Sequence, residues 1–172
     1  MSEQVFISFG SNKGQTLEQI LGAFKHIQAL NGLTSFKASS IYKTPPMGPE
    51  QPDYLNGVCS FEYTKSPEEL LIELQKIETL FGRDRKKEIR WGPRTLDLDL
   101  LMFGDIQQKT DFLQLPHPGL HERAFVLTPM AEIAPELVLP NGQKALSLAS
   151  VLHDDSIKKV YTAQGESIEN HN

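Results

Sequence analysis

The sequence predicts an α+β fold in which helices cover one face of an antiparallel sheet. Apolar residues alternate with period two in several short stretches and recur at helical spacing in two longer ones. These stretches follow one another as strand, helix, strand, strand, helix, strand. A length of 172 residues, 39% apolar and 23% charged, suffices for one sizeable core and one domain.

Val5 to Phe9 reads as the first strand, closed by the small residues Gly10-Ser11-Asn12. Thr16 and Gln19 have capping-box spacing, and Leu17, Ile20, Leu21, Phe24, Ile27 and Leu30 then share one helical face up to a stop at Asn31-Gly32. Thr34 to Tyr42 reads as a second strand. Thr44 to Asp53 contains four prolines and a glycine, which excludes a helix or interior strand. Such a stiff loop suits a pocket wall, although a surface connector fits the composition as well. Tyr54 to Thr64 is the third strand.

Ser66-Pro67-Glu68-Glu69 is a helix start with cap, first-turn proline and box glutamate. Leu70, Leu71, Leu74, Ile77 and Leu80 form that helix's apolar stripe, and Gly82 stops it. Gln75 and Glu78 fall side by side on a flank that reads as solvated. A strand follows from Thr95, then a short extended piece from Leu113 to Leu115 and the turn Pro116-His117-Pro118-Gly119. His121 to Ala134 reads as a proline-interrupted helix, Leu146 to Leu152 as a last helix and Lys159 to Thr162 as a closing strand. The element order is that of a ferredoxin-like sandwich with a C-terminal extension, a topology shared by many functions. The domain is expected to span residues 1–165, with Glu166 to Asn172 a disordered tail.

Cys59, the one cysteine, rules out an intrachain disulfide and lies in an apolar strand pattern, as buried filler does. No apolar run approaches the roughly 20 residues of a membrane span, and no basic-then-apolar leader opens the chain, so a cytoplasmic protein is expected. A net charge of −5 argues against non-specific nucleic-acid binding by the whole surface.

The densest polar chemistry lies between Arg90 and Asp105. Leu96, Leu98 and Leu100 take one parity of the strand there, and Asp97 and Asp99 the other. A two-residue step is roughly 6.6 Å, so the carboxylates can approach to about 5 Å and repel by roughly 3 kcal/mol at an effective dielectric near 20. A divalent cation would relieve that repulsion, and Mg²⁺ is commonly held by one or two carboxylates with phosphates and water. Two aspartates on a solvated strand face, paired with nearby arginines, fit the alternation equally well. Clustering favours the metal. Arg83 to Arg94 carries net +4, leaving −9 for the rest of the chain, and fixed guanidinium groups suit phosphate oxygens.

Arg90-Trp91-Gly92-Pro93-Arg94-Thr95-Leu96-Asp97-Leu98-Asp99-Leu100-Leu101 resembles the signature of the 6-hydroxymethyl-7,8-dihydropterin pyrophosphokinases of folate biosynthesis. The likeness runs from Val5 to about Pro140 and includes Gly10-Ser11-Asn12 and the segment Thr44 to Asn56. It implies transfer of pyrophosphate from ATP to 6-hydroxymethyl-7,8-dihydropterin with release of AMP. By resemblance, Asp97 and Asp99 hold two Mg²⁺ ions, and Arg83 and Arg94 stabilise the transferring group. Thr44, Pro45, Met47, Tyr54, Asn56, Trp91 and Phe125 take the pterin, with Tyr54 and Phe125 on its two faces. Gln75, Glu78, Arg85, Trp91, Arg94, His117 and Arg123 surround the nucleotide. The chain departs from the pattern at Phe112, where a relative has an arginine near the adenosine. The loops around the site are expected to close over substrates in a monomeric enzyme.

Two other readings compete. A nucleotidyl or phosphoryl transferase would keep the Mg²⁺-ATP site and change the acceptor. A ferredoxin-like RNA-binding module would stack bases on aromatic residues of its central strands, where this chain has aspartates.

Overall fold

In the computed structural model, residues 1–46, 48–84, 86–87 and 92–168 are described. Eight strands and four helices are assigned among them: β1 (Glu3–Ser11), α1 (Thr16–Gln28), β2 (Leu33–Ala38), β3 (Ile41–Thr44), β4 (Tyr54–Tyr63), α2 (Pro67–Leu80), β5 (Asp97–Phe103), β6 (Gln108–Lys109), β7 (Gln114–Leu115), α3 (Ala124–Ile133), α4 (Ala145–Val151) and β8 (Lys158–Tyr161). The main sheet runs β5-β1-β4-β3-β8, with β2 also paired to β4, and its paired neighbours are antiparallel. The ferredoxin-like order is therefore present, with β8 added at the β3 edge.

Alternation along β1 sorts the core. Val5, Ile7 and Phe9 join Cys59, Phe61 and Tyr63 of β4 and Leu98 and Leu100 of β5 in one cluster with the apolar stripes of α1 and α2. Leu70 and Leu74 of α2 are fully buried there, each worth roughly 1.5–3 kcal/mol of transfer free energy. Cys59 is 0% exposed and burial raises its thiol pKa, which makes it inert filler. Phe6, Val58, Leu101 and Met102 point the other way, into a second cluster with α3 and α4. The helices thus lie on both faces: α1 and α2 on the expected one, the extension's helices on the opposite one.

Three local expectations are corrected. The stretch from Thr34 to Tyr42 is two strands, because Ser39 Oγ takes the N–H of Val58 at 3.0 Å while Ser39 N donates to Val58 O at 2.8 Å. The Glu132 carboxylate takes the Ser40 N–H beside that break. The Thr16/Gln19 box does not form: Gln15 is the N-cap without a side-chain cap bond, and Gln19 Nε2 donates instead to Ser11 Oγ, Lys13 O and Thr95 O. On α2 the flank bearing Glu78 is not solvated, since Glu78 is 1% exposed. The start of α2 is as expected, with Ser66 Oγ accepting from Glu69 N at 3.1 Å.

At the chain end, Glu166 O accepts from Thr162 N and Ile168 N donates to Val160 O, which holds 166–168 against β8. The rest of the expected tail lies outside the described residues. Among the described residues, no helix is long and apolar enough to cross a membrane.

Candidate active site

The α3–α4 layer covers only one end of its sheet face. Beyond it, the outward positions are small or polar: Ser8 and Gly10 on β1, Asn56 on β4, Asp97 and Asp99 on β5. Register makes them neighbours. Gly10 pairs with Asn56 on one side and Asp97 on the other, and Ser8 pairs with Val58 and Asp99. Directly opposed residues in antiparallel strands share a face, so an amide and two carboxylates look into one space across a glycine. That space is a cavity of about 390 Å³, walled also by Thr44, Pro45, Tyr54, Arg83, Gly92, Arg94, His117, Arg123 and Phe125.

Asn56 is 8% exposed, and its Nδ2 donates to Thr44 Oγ1 at 2.8 Å. Its Oδ1 is buried and unpartnered among the described residues. The Thr44 hydroxyl can donate or accept, so whichever end of the amide it engages, the other end is left to bind a ligand. An unpaired buried polar atom costs about 1–3 kcal/mol, which a ligand with a matching amide-like edge would relieve.

Arg83 leaves the C-terminus of α2 and bends back under the cavity floor. Its Nη1 donates to Glu78 Oε2 at 2.6 Å and to Asp97 Oδ1 at 2.9 Å. Glu78 Oε2 also accepts from Leu98 N at 2.8 Å. Arg94 is held by its backbone: its N–H donates to Asn12 Oδ1 at 2.8 Å and its carbonyl accepts from Asn12 N at 3.0 Å. The Arg94 guanidinium donates to the carbonyls of Gly92 and Pro93. On the far wall, the His117 backbone N–H donates to Leu101 O, and its Nδ1 accepts from Gly119 N at 3.0 Å. That bond leaves Nε2 to carry the proton of the neutral ring. Arg123 sits 5.8 Å from the Phe125 ring centroid, a cation–π distance.

Burial pushes the Asp99 carboxyl up to about 8, with Asp97 and then Glu78 adding to it and Arg83 and Arg123 opposing. His117 is held below the ordinary imidazole value by burial and by Arg123, against the pull of Asp97. Among the described residues, no group of three or more His, Cys, Asp or Glu side chains is arranged to hold a metal. A pair of carboxylates fits Mg²⁺ differently, by leaving coordination positions for phosphate oxygens and water. Three guanidinium groups around that pair supply the charge a polyphosphate needs.

Of the residues the sequence singled out, Thr44, Pro45, Tyr54, Asn56, Arg83, Arg94, Asp97, Asp99, His117, Arg123 and Phe125 line the cavity. Gln75 and Glu78 do not: Gln75 is half-buried on α2, and Glu78 lies behind the floor. Met47, Arg85 and Trp91 lie outside the described residues. Phe112 is 51% exposed and away from the lining. Sequence reasoning gave no individual role to Asn12 and Ser11 and read Gln19 only as a helix cap, yet the three side chains hold the Arg94–Thr95 segment. Their partners lie more than seventy positions away, and no local pattern marks such pairs.

The sequence matches the family described as 7,8-dihydro-6-hydroxymethylpterin-pyrophosphokinase over residues 6–135. It is 43% identical to the 2-amino-4-hydroxy-6-hydroxymethyldihydropteridine pyrophosphokinase of Haemophilus influenzae, across 90% of this chain and 96% of that one. The protein of the same name from Pseudomonas aeruginosa is 38% identical, across 93% of this chain and 98% of its own. In fold, the chain is similar to wild-type HPPK-DHPS of Plasmodium falciparum, with a TM-score of 0.70 at 12% identity. That likeness covers 98% of this chain and about half, 50%, of the solved one.

Proposed function

The chain belongs to the 7,8-dihydro-6-hydroxymethylpterin-pyrophosphokinase family, and from that premise we infer that it transfers pyrophosphate from ATP to 6-hydroxymethyl-7,8-dihydropterin, releasing AMP, in folate biosynthesis. One observation carries the reading beyond family membership. The Asn56–Gly10–Asp97 row sets an amide with an unpartnered oxygen beside a carboxylate pair on one cavity floor.

The division of labour follows from the walls. Asn56 and Thr44 hold the amide-like edge of the pterin, with Pro45 beside them, and Tyr54 and Phe125 sandwich the ring; family resemblance alone adds Met47. Offset aromatic contact contributes roughly 0.5–1.5 kcal/mol beyond area burial. In this reading the hydroxymethyl group points toward Asp97 and Asp99. The triphosphate lies over those carboxylates, among Arg83, Arg94, His117 and Arg123; Glu78 acts from behind by holding Arg83, and family resemblance alone adds Gln75, Arg85 and Trp91 to the nucleotide side.

Asp97 and Asp99 are the residues to hold two Mg²⁺ ions. Bound there, the ions would supply charge neutralisation of the triphosphate and a lowered pKa for the attacking hydroxyl. The chain's own part is alignment and electrostatics. Arg83 and Arg94 stabilise charge that builds on the transferring group, as phosphoryl-type transfers require more than covalent help. Arg83 is already desolvated and oriented by Glu78, so little reorganisation remains for the reaction step. The protein is read as a cytoplasmic monomer acting on small molecules, without nucleic-acid or membrane partners.

The test is product analysis after incubation with Mg²⁺, ATP and 6-hydroxymethyl-7,8-dihydropterin. AMP and pyrophosphorylated pterin in equal amounts support the reading. Release of ADP or free pyrophosphate would point to the phosphoryl or nucleotidyl transferase instead.

A further inference from the structure

We propose that Asn12 is a positioning residue that ties the proline loop to the loop bearing Arg94, so that one buried amide sets both the pterin wall and the transferring arginine. The inference rests on the activity proposed above and assigns a role within the same site.

Asn12 follows β1 and is 3% exposed. Its Nδ2 donates to Gln51 Oε1 at 2.8 Å and to Pro52 O at 2.9 Å, both in the proline loop. Its Oδ1 accepts from Arg94 N at 2.8 Å, and its backbone N–H donates to Arg94 O at 3.0 Å. A single side chain therefore joins segments 39 to 82 residues distant from it.

The two joined segments are unlike, and the difference gives the link its consequence. The proline loop is stiff because its prolines fix φ, and Gln51 Nε2 donates to Pro49 O within it at 3.0 Å. Holding Gln51 and Pro52 therefore fixes the loop that enters β4 at Tyr54. On the other side, Ser11 Oγ and Gln19 Nε2 both donate to Thr95 O, so Asn12 lies in a wider clamp on the residues ahead of β5. Tyr54 OH donates across the same gap to Gly92 O at 3.3 Å. Ordering of either loop by its ligand is transmitted to the other through Asn12, because both share its amide.

The two ends of the amide can be separated by substitution. Asn12→Asp keeps an oxygen for the Arg94 N–H but turns an oxygen toward Gln51 Oε1 and Pro52 O, where a donor is needed. It should raise the pterin KM about tenfold, the effect of losing one or two hydrogen bonds, while kcat falls less than about threefold. Asn12→Ala removes both ends and should raise the pterin KM and lower kcat, each by about tenfold. Gln51→Ala removes one of the two loop-side bonds of Asn12, together with the Gln51–Pro49 bond inside the loop, and should raise the pterin KM about threefold.

Steady-state kinetics on the full chain, with KM for pterin and ATP measured separately, tests this. A pterin KM that stays at the wild-type value in Asn12→Asp and Gln51→Ala would overturn the inference. So would an Asn12→Asp effect spread equally over both KM values and kcat, as general loosening would give. If neither Asn12 variant folds, Gln51→Ala decides alone. Wild type is assayed first: absence of AMP release there refutes the proposed activity, whereas normal wild-type turnover with unaffected variants refutes only the role of Asn12.

Discussion

Glu78 Oε2 accepts the backbone N–H of Leu98 at 2.8 Å, so a carboxylate on α2 pins the strand at the residue between Asp97 and Asp99. The same oxygen takes Arg83 Nη1 at 2.6 Å. A charge with 1% exposure is tolerable only when paired and hydrogen-bonded. Here the pairing also orients an arginine and the strand that bears the carboxylate pair.

Removing that carboxylate should therefore damage both stability and rate. Glu78→Ala leaves Arg83 poorly paired and should cost about 3 kcal/mol of unfolding free energy. Glu78→Gln keeps an acceptor for Leu98 N and should recover part of that loss, with turnover still down at least about tenfold. Urea titration and kcat, measured on both variants, check this. Wild-type turnover in Glu78→Gln would show that the charge on Glu78 does not position Arg83.

Gly10 separates the floor's open space from its packing. A Cβ placed there would meet Tyr54 Cδ1 at 3.5 Å and Asn56 Cβ at 3.7 Å, which is ordinary contact. Gly10→Ala should therefore fold with stability within about 1 kcal/mol of wild type. Its methyl stands between Asn56 and Asp97, so the pterin KM should rise about tenfold. Equal pterin KM values in Gly10→Ala and wild type would place the ring elsewhere.

Asn56→Ala removes both the Thr44 partner and the amide end left for a ligand. Sites built to hydrogen-bond a polar edge discriminate strongly against losing that match. Pterin affinity, followed by ligand fluorescence, should drop about a hundredfold, with ATP affinity changed less than about threefold. An equal loss for both ligands would mean the floor had collapsed.

The Asp99 carboxyl gives the metal-free protein a distinctive pH dependence. Its folded pKa, about 8, is raised above the unfolded value of 3.8, so the native state binds the proton more tightly. The associated stability is fully present below pH 3.8 and is lost as pH rises through about 8. Asp99→Asn has no such proton to lose. In chelator, its stability relative to wild type should improve by roughly 1 kcal/mol per pH unit across that window. Denaturation at pH 5 and pH 8 measures this, and a constant difference between the two proteins would contradict it. Added Mg²⁺ should stabilise wild type at pH 8 and leave Asp99→Asn largely unmoved.

Much of this was legible in the chain itself. The parity of Asp97 and Asp99 against Leu96, Leu98 and Leu100 follows from the strand period, and the Ser66-Pro67 start from capping chemistry. That Thr44, Pro45 and Asn56 share a cavity with the carboxylate pair was suggested only by family likeness, since prolines and a threonine carry no ligand signal by themselves. What escaped was long-range pairing. Gln19 has the right spacing for a cap, but its side chain is drawn to Thr95 O, 76 positions on. Glu78 has the spacing of a solvated flank, yet β5 passes over it and offers Leu98 N. Ser39 splits a stretch that reads as one strand because its hydroxyl can stand in for a backbone acceptor opposite Val58. Each of these outcomes depends on which segment folds alongside, a fact absent from the local pattern.

The most direct measurement is phosphorus NMR of the products formed from Mg²⁺-ATP and 6-hydroxymethyl-7,8-dihydropterin by wild type and by Asp97→Ala. Wild type should yield AMP and a pterin diphosphate in equal amounts, and Asp97→Ala, still folded, should yield neither at a detectable rate. A diphosphate ester forming at near wild-type rate in Asp97→Ala, or ADP in place of AMP from wild type, would contradict the assignment of the carboxylate pair and its cavity.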